Sequence, residues 1–311
     1  MAVTATAEPA VGARDTGRTR LSNRARGEQR LGWLLVAPAV TVMLLVTAYP
    51  LGRAVWLSLY SYRLTDPEGR EFVGLRNYGV VLTDGLWWQT VFTTVFITVV
   101  TVAIGLVLGF IIAMVMHRII FGRGLVRTSI LIPYGIITVV AAYAWQYAFA
   151  LDSGFVNEWF GIDRSWFAGR WSALFVIIMA EVWKTTPFIS LLLLAGLAQV
   201  PEDLQEAAKV DGATNWQRFT RVTVPNMKAA IMVALLFRTL DAYRIFDTIF
   251  IMTGGAEKTE SVSFLTYRQT ITRTALGLGS ALSVLLFLSV VLIAFIYLKG
   301  FRTDLSRVRG E

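Results

Sequence analysis

Six long apolar runs constrain this chain more than any other feature. They cover roughly residues 31–60, 87–116, 127–149, 172–198, 228–253 and 277–299. A helix needs about 20 mostly apolar residues to cross a bilayer, and each run reaches that length. A backbone facing lipid must satisfy its own hydrogen bonds, so each run is predicted to be helical. A closed barrel would need short strands of alternating polarity, and these runs are too long and continuous. The expected fold class is an all-α integral membrane protein with six transmembrane helices. Composition agrees: the 311 residues are 55% hydrophobic and only 16% charged, with a mean hydropathy of +0.59. A soluble domain carries more charge.

The absence of cysteine rules out disulfides, thiolate metal sites and cysteine nucleophiles. The single histidine, His117, ends an apolar run beside Arg118 and reads as interfacial. The net charge of +8 is explained without nucleic acid, by the excess of Lys and Arg in inward-facing membrane loops. Six such residues lie in the N-terminal tail, three in 117–127, four in 200–228 and four at the C-terminal end. The alternate loops 62–86, 150–171 and 254–276 carry three, two and three. Both termini and the 200–228 loop are therefore expected in the cytoplasm. Residues 1–30, rich in Arg, Ala, Gly and Thr, read as a disordered cytoplasmic tail rather than a signal peptide. Residues 31–299 form the membrane domain, and 300–311 read as a second cytoplasmic tail. Trp87, Trp88, Trp166 and Trp171 sit at outer span edges, where aromatics anchor to the interface.

The longest polar stretch between the runs, "QEAAKVDGATNWQRFTRVTVP" (205–225), is too ordered for a simple connector. Pro201 suits a first helical position, and Glu202 and Asp203 favour the positive helix end. Leu204, Ala207, Ala208 and Asp211 share a face, and Gly212 is placed to end the helix as a left-handed cap. Thr214 and Gln217 have capping-box spacing, Trp216 and Phe219 supply an aromatic face, and Pro225 precedes the next run. The prediction is a helix–turn–helix elbow along the cytoplasmic membrane surface, a docking element for a cytoplasmic protein.

At these residues the chain resembles a known family. The pattern E-A-A-x-x-D-G-A followed by F-x-x-V-x-V-P is similar to the coupling motif of the permease subunits of ABC importers. It matches at Glu206, Ala207, Ala208, Asp211, Gly212, Ala213, Phe219 and Pro225. "FVGLRNY" (72–78), "LIPYGI" (131–136), "VWKTTPF" (182–188), "LLAGLAQVP" (193–201) and "FDTIFIMTGG" (246–255) resemble the carbohydrate-uptake, maltose-type branch. The resemblance runs from about residue 31 to 300, and more narrowly the chain looks like the first of the two permease subunits of a mycobacterial trehalose importer. It departs at Ala229, where the family often has proline, and at Ala256-Glu257, where Gly-Pro is common. The resemblance implies the type I importer permease fold with cytoplasmic coupling helices (loop 200–227). It implies uptake of a sugar, a disaccharide such as trehalose, by alternating access. It also implies a second homologous permease, two copies of an ATP-binding subunit that use ATP and Mg, and an external sugar-binding lipoprotein. This chain has no G-x-x-x-x-G-K-[ST] phosphate loop, and no cofactor is expected on it.

Ionisable residues inside spans are functional candidates. Glu181 and Lys184 stand three apart, and Arg238, Asp241, Arg244 and Asp247 follow a three-residue step of alternating sign, so each set is placed to pair along one helix. Sugar hydroxyls need donors and acceptors, and sugar faces stack on aromatic rings. Tyr143, Trp145, Gln146, Tyr147, Trp183, Asp241, Tyr243 and Phe246 supply that chemistry and are the candidate substrate path. Gly105 and Gly109 form a G-x-x-x-G that permits close helix contact. The alternative is an ion-coupled secondary transporter, with the intramembrane charges as its ion path. That reading leaves the elbow without a purpose. A membrane-embedded enzyme finds no catalytic set to support it.

Overall fold

The computed structural model describes residues 23–119 and 121–308. The chain divides into two units, one ending at Gly52 and the other starting at Arg53. The first unit is the beginning of helix α1 (Asn23–Ser58). The predicted tail is thus helical from Asn23, and its residues 1–22 lie outside the described set. At the other end α14 (Leu276–Val308) continues through most of the predicted 300–311 tail, of which 309–311 lie outside the described residues.

Four described stretches are long and apolar enough to cross a bilayer: Arg30–Ser58 in α1, Gly85–Arg118 (α3), Arg170–Leu197 (α7) and Leu276–Gly300 in α14. The other two apolar runs are broken. The third divides into α4 (Arg123–Gly135) and α5 (Thr138–Ala148), bent by 85° at the break. The fifth divides into α11 (Lys228–Tyr243) and α12 (Asp247–Met252). At about 1.5 Å per residue, the 16 residues of α11 reach only about 24 Å, short of the hydrocarbon thickness. Hydropathy sums over a run and registers neither break.

Short elements complete the unit: a hairpin of β1 (Tyr60–Arg63) and β2 (Asp66–Phe72), α2 (Arg76–Thr83), α6 (Phe155–Phe160), α8 (Glu202–Val210), α9 (Asn215–Arg218), α10 (Val224–Asn226) and α13 (Val262–Tyr267). The "FVGLRNY" segment is a clasp. Asn77 donates its Nδ2 to the Ser58 and Tyr60 carbonyls at 2.7 and 2.9 Å, and the Tyr78 and Ser58 hydroxyls bond at 2.6 Å.

The core is the crossing of α3 and α7, with α11 packed on both. Gly105 and Gly109 set this approach. A Cβ at Gly109 would lie 2.8 Å from Ile189 Cγ2, and one at Gly105 would lie 2.9 Å from Ile189 Cδ1. Buried hydroxyls on α3 turn inward. Thr94, Thr98 and Thr101 each donate to the carbonyl four residues earlier, at 2.7–2.8 Å. Hydroxyls so paired cost little in an apolar interior. Trp87 is buried with Val81 and Val262, and Trp166 is half-buried, donating to Asn157 Oδ1 at 2.8 Å; both are packing residues rather than interface anchors. Trp88 and Trp171 are exposed.

The connection after α12 is tightly built. Glu257 and Lys258, at and next to the departure from the family's Gly-Pro, have φ of +54° and +59°. Buried Glu260 pairs with Arg268. Burial raises the Glu260 carboxyl above its ordinary pKa, and Arg268 and Arg273 oppose the shift.

Gly109→Ala is expected to destabilise the protein by about 1–3 kcal/mol, the usual range for overpacking. Gly124→Ala, where an added Cβ would meet nothing within 4 Å beyond its own helical turn, is expected to be neutral. Thermal unfolding in detergent measures both, and Ile189→Ala should partly relieve the Gly109 variant.

Candidate functional site

Two parts of the chain carry the charge and geometry of a site. The first is a cavity of about 400 Å³ where the two broken runs meet α7. Its walls are Tyr134 and Thr138 from either side of the α4–α5 break, Glu181, Lys184 and Thr185 from α7, and Asp241, Arg244, Ile245, Phe246, Asp247 and Thr248 from the end of α11 and the start of α12. Non-helical backbone at membrane depth is tolerated where it is enclosed by protein or lines a polar cavity. Both breaks meet that condition.

The charges pair across helices more than along them. Arg238 is 2% exposed. Its Nη1 donates to Asp241 Oδ2 at 2.8 Å, the predicted pair along α11, and its Nη2 lies 3.6 Å from Glu181 Oε2 on α7. Thr248 donates to the other oxygen of Glu181 and so ties α12 into the same network. Glu181 and Lys184 are therefore not partners of each other. Lys184 reaches the α4–α5 break instead, donating to the Ile136 carbonyl at 2.7 Å. The predicted three-residue series also ends early. The chain leaves the helix at Arg244–Phe246, so Asp247 no longer lies one turn from Arg244, whose Nε donates to the Leu240 carbonyl at 3.2 Å.

The candidate path residues fall in different places. Asp241 and Phe246 line the cavity. Phe246 also stacks with Phe250 and Phe264, at 5.4 and 6.1 Å between centroids, and packs at a tilt against Tyr267 at 5.1 Å. Trp145 and Trp183 pack together at 5.9 Å and line a separate apolar groove on α3, α5 and α7. Gln146 donates to the Ile251 and Met252 carbonyls, holding α5 to α12. Tyr143 and Tyr147 are exposed, and Tyr243 is buried. Tyr134, Thr138, Thr185 and Thr248 join the cavity without having been singled out. Tyr134 and Thr185 sit inside "LIPYGI" and "VWKTTPF", a signal that could have found them.

The second part is the elbow. α8 starts just after Pro201, which occupies the cap position. Gly212 has φ +79°, its N–H bonds to the Lys209 carbonyl at 3.1 Å, and the Ala213 N–H bonds to the Ala208 carbonyl at 2.9 Å. This is the paired closure of a Schellman turn. Thr214 and Gln217 form the expected capping box at 3.3 and 2.8 Å. A π-helical turn, Phe219–Thr223, then leads into α10, where Pro225 stands exposed. Gln205 bonds to Thr223 at 2.9 Å, and the Phe219 ring meets Phe110 of α3 edge-on at 5.6 Å. Phe219 thus roots the elbow in the membrane domain. Glu206, Ala207, Asp211 and Gly212 are exposed, while Ala208 and Ala213 are half-buried.

Long apolar helices, two broken apolar runs around a polar cavity and a capped polar elbow are the architecture of a membrane transport subunit. The model of the family described as "Binding-protein-dependent transport system inner membrane component" matches residues 105–302, and the chain belongs to that family. It is 53% identical over 274 residues to the trehalose transport system permease protein SugA of Mycobacterium tuberculosis, covering 88% of this chain and 89% of that one. It is 39% identical over 285 residues to the trehalose/maltose transport system permease protein MalF of Thermococcus litoralis, covering 89% and 96%. A bacterial alginate ABC transporter solved with a pentasaccharide-bound periplasmic protein shares the fold, with a TM-score of 0.74 at 21% identity over 88% of this chain and 96% of that one. The chain is a multi-pass permease subunit of an ABC importer and not itself an enzyme.

Arg238→Met is expected to cost about 3–5 kcal/mol, because it leaves Glu181 as a buried charge without its cation. Pairing it with Glu181→Gln should recover much of that loss. The yield and melting temperature of the purified protein compare the two.

Proposed function

We propose that this chain is one of two unlike permease subunits of an importer for trehalose or a closely related disaccharide. The polar cavity between the two broken spans carries this reading. It offers carboxylates and ammonium or guanidinium donors beside the Tyr134 and Phe246 rings, the mixture a polyhydroxyl ligand requires. The 53% identity to a trehalose permease supports the choice of sugar.

In this reading the 201–225 elbow docks on a separate ATPase subunit, present in two copies, which uses ATP and Mg. Glu206, Ala207, Ala208, Asp211, Gly212 and Ala213 form the docking turn, and Phe219 and Pro225 transmit its movement to α3 and α11. A second homologous permease completes the path, and an external sugar-binding lipoprotein delivers the substrate. Both termini and the elbow face the cytoplasm, in keeping with the distribution of Lys and Arg. Closure of the ATPase pair would swing the spans as rigid bodies between inward- and outward-facing states. Cavity contact by Asp241 and Phe246 is direct in this reading. Tyr143, Tyr147, Trp145 and Trp183 lie on surfaces that a partner permease could complete.

Gly212→Pro tests the coupling. Proline locks φ near −65° and removes the N–H, whereas Gly212 needs +79° and uses its N–H. The reconstituted complex should still assemble but lose trehalose-stimulated ATP hydrolysis. Unchanged stimulation and uptake would reduce the elbow to a connector.

A further inference from the structure

We infer that Lys184 links occupancy of the cavity to the break in the α4–α5 span: it holds the break and donates a further hydrogen bond to a hydroxyl oxygen of the bound sugar. This rests on the proposed sugar path. The last carbonyls of any helix lack partners within it. Here the lack is acute, because α4 ends at membrane depth and the chain turns by 85° into α5, whose N-cap, Ile137, has no side-chain cap. Lys184 crosses from α7 to fill the gap. Its Nζ donates to the Ile136 carbonyl at 2.7 Å, lies 3.5 Å from the Tyr134 carbonyl and sits 5.9 Å from the Tyr134 ring centroid. The stacked pair Tyr134–Phe188, at 5.3 Å, holds α4 against α7 beside it.

Lys184 is also a wall of the cavity. An ammonium has three donors and no acceptor. Two point at the break, one of them weakly at 3.5 Å. The third is available to a ligand in the cavity, and a sugar hydroxyl can accept it while donating its own proton to Asp241. A bound sugar therefore shares one cation with the span end that must move if the path is to open. Carboxylates alone would bind the sugar without touching the break. Lys184 is thus at once a sugar contact and the support of the break.

The test uses the full reconstituted complex with its binding protein, with trehalose and maltose as probes. The readout is the ratio of sugar-stimulated to unstimulated ATP hydrolysis, measured alongside uptake. K184Q still presents an amide N–H toward the Ile136 carbonyl, from a side chain one bond shorter, but loses the charge and the third donor. K184R keeps both. The ratio in assembled K184Q should fall by about tenfold or more, the loss of one charge-assisted hydrogen bond, with K184R largely retaining it. Assembled K184Q with a wild-type ratio overturns the inference. Failure of K184Q to assemble also overturns it, by making Lys184 a structural support alone. A wild-type complex indifferent to both sugars defeats the proposed substrate class together with the inference. A wild-type complex that responds, beside an unaltered K184Q, defeats the inference alone.

Discussion

A backbone inside a bilayer must find all its hydrogen bonds within the protein. Four described helical stretches of this chain meet that demand by continuity. The α4–α5 and α11–α12 runs do not, and their breaks expose polar backbone at depth. The structure meets the demand there with side chains. Lys184 serves the Ile136 carbonyl at the first break and Ser261 the Ile245 carbonyl at the second, while Gln146 serves the Ile251 and Met252 carbonyls at the far end of α12. Each cap comes from a different element, so the breaks hold only while α4, α5, α7, α11, α12 and the segment leading into α13 stay together.

The buried charges follow from the same constraint. Arg238 is 2% exposed, and a lone guanidinium there would be prohibitive. Shared between Asp241 on its own helix and Glu181 on α7, it becomes a joint between elements. Such a network contributes little net stability compared with apolar packing, and removing one member is costly. Its contribution here is placement: it fixes α11 and α12 against α7 and leaves Asp241 facing the cavity. The elbow is built on another principle. Its turns are closed by local caps, at Gly212–Ala213 and Thr214–Gln217, so its shape depends little on the rest of the protein. Phe219, edge-on to Phe110, is the point where this locally closed elbow is packed against α3.

Apolar length, cap chemistry and motif spacing are local quantities, and they made much of this protein legible in its sequence: the membrane class, the G-x-x-x-G crossing, the Gly212 turn, the Thr214 capping box and the Arg238–Asp241 pair. Each depends on residues within one or two helical turns of one another, or on small side chains that any neighbour must accommodate. The breaks at 136–137 and 244–246, the partnership of Glu181 with Arg238 and of Lys184 with Ile136, and the burial of Tyr243 and Trp87 were decided only in the tertiary structure. All of them turn on which helix lies opposite, and the partners stand dozens of residues apart in the chain. A charge in an apolar run announces that it needs a partner. Only packing decides which one it gets.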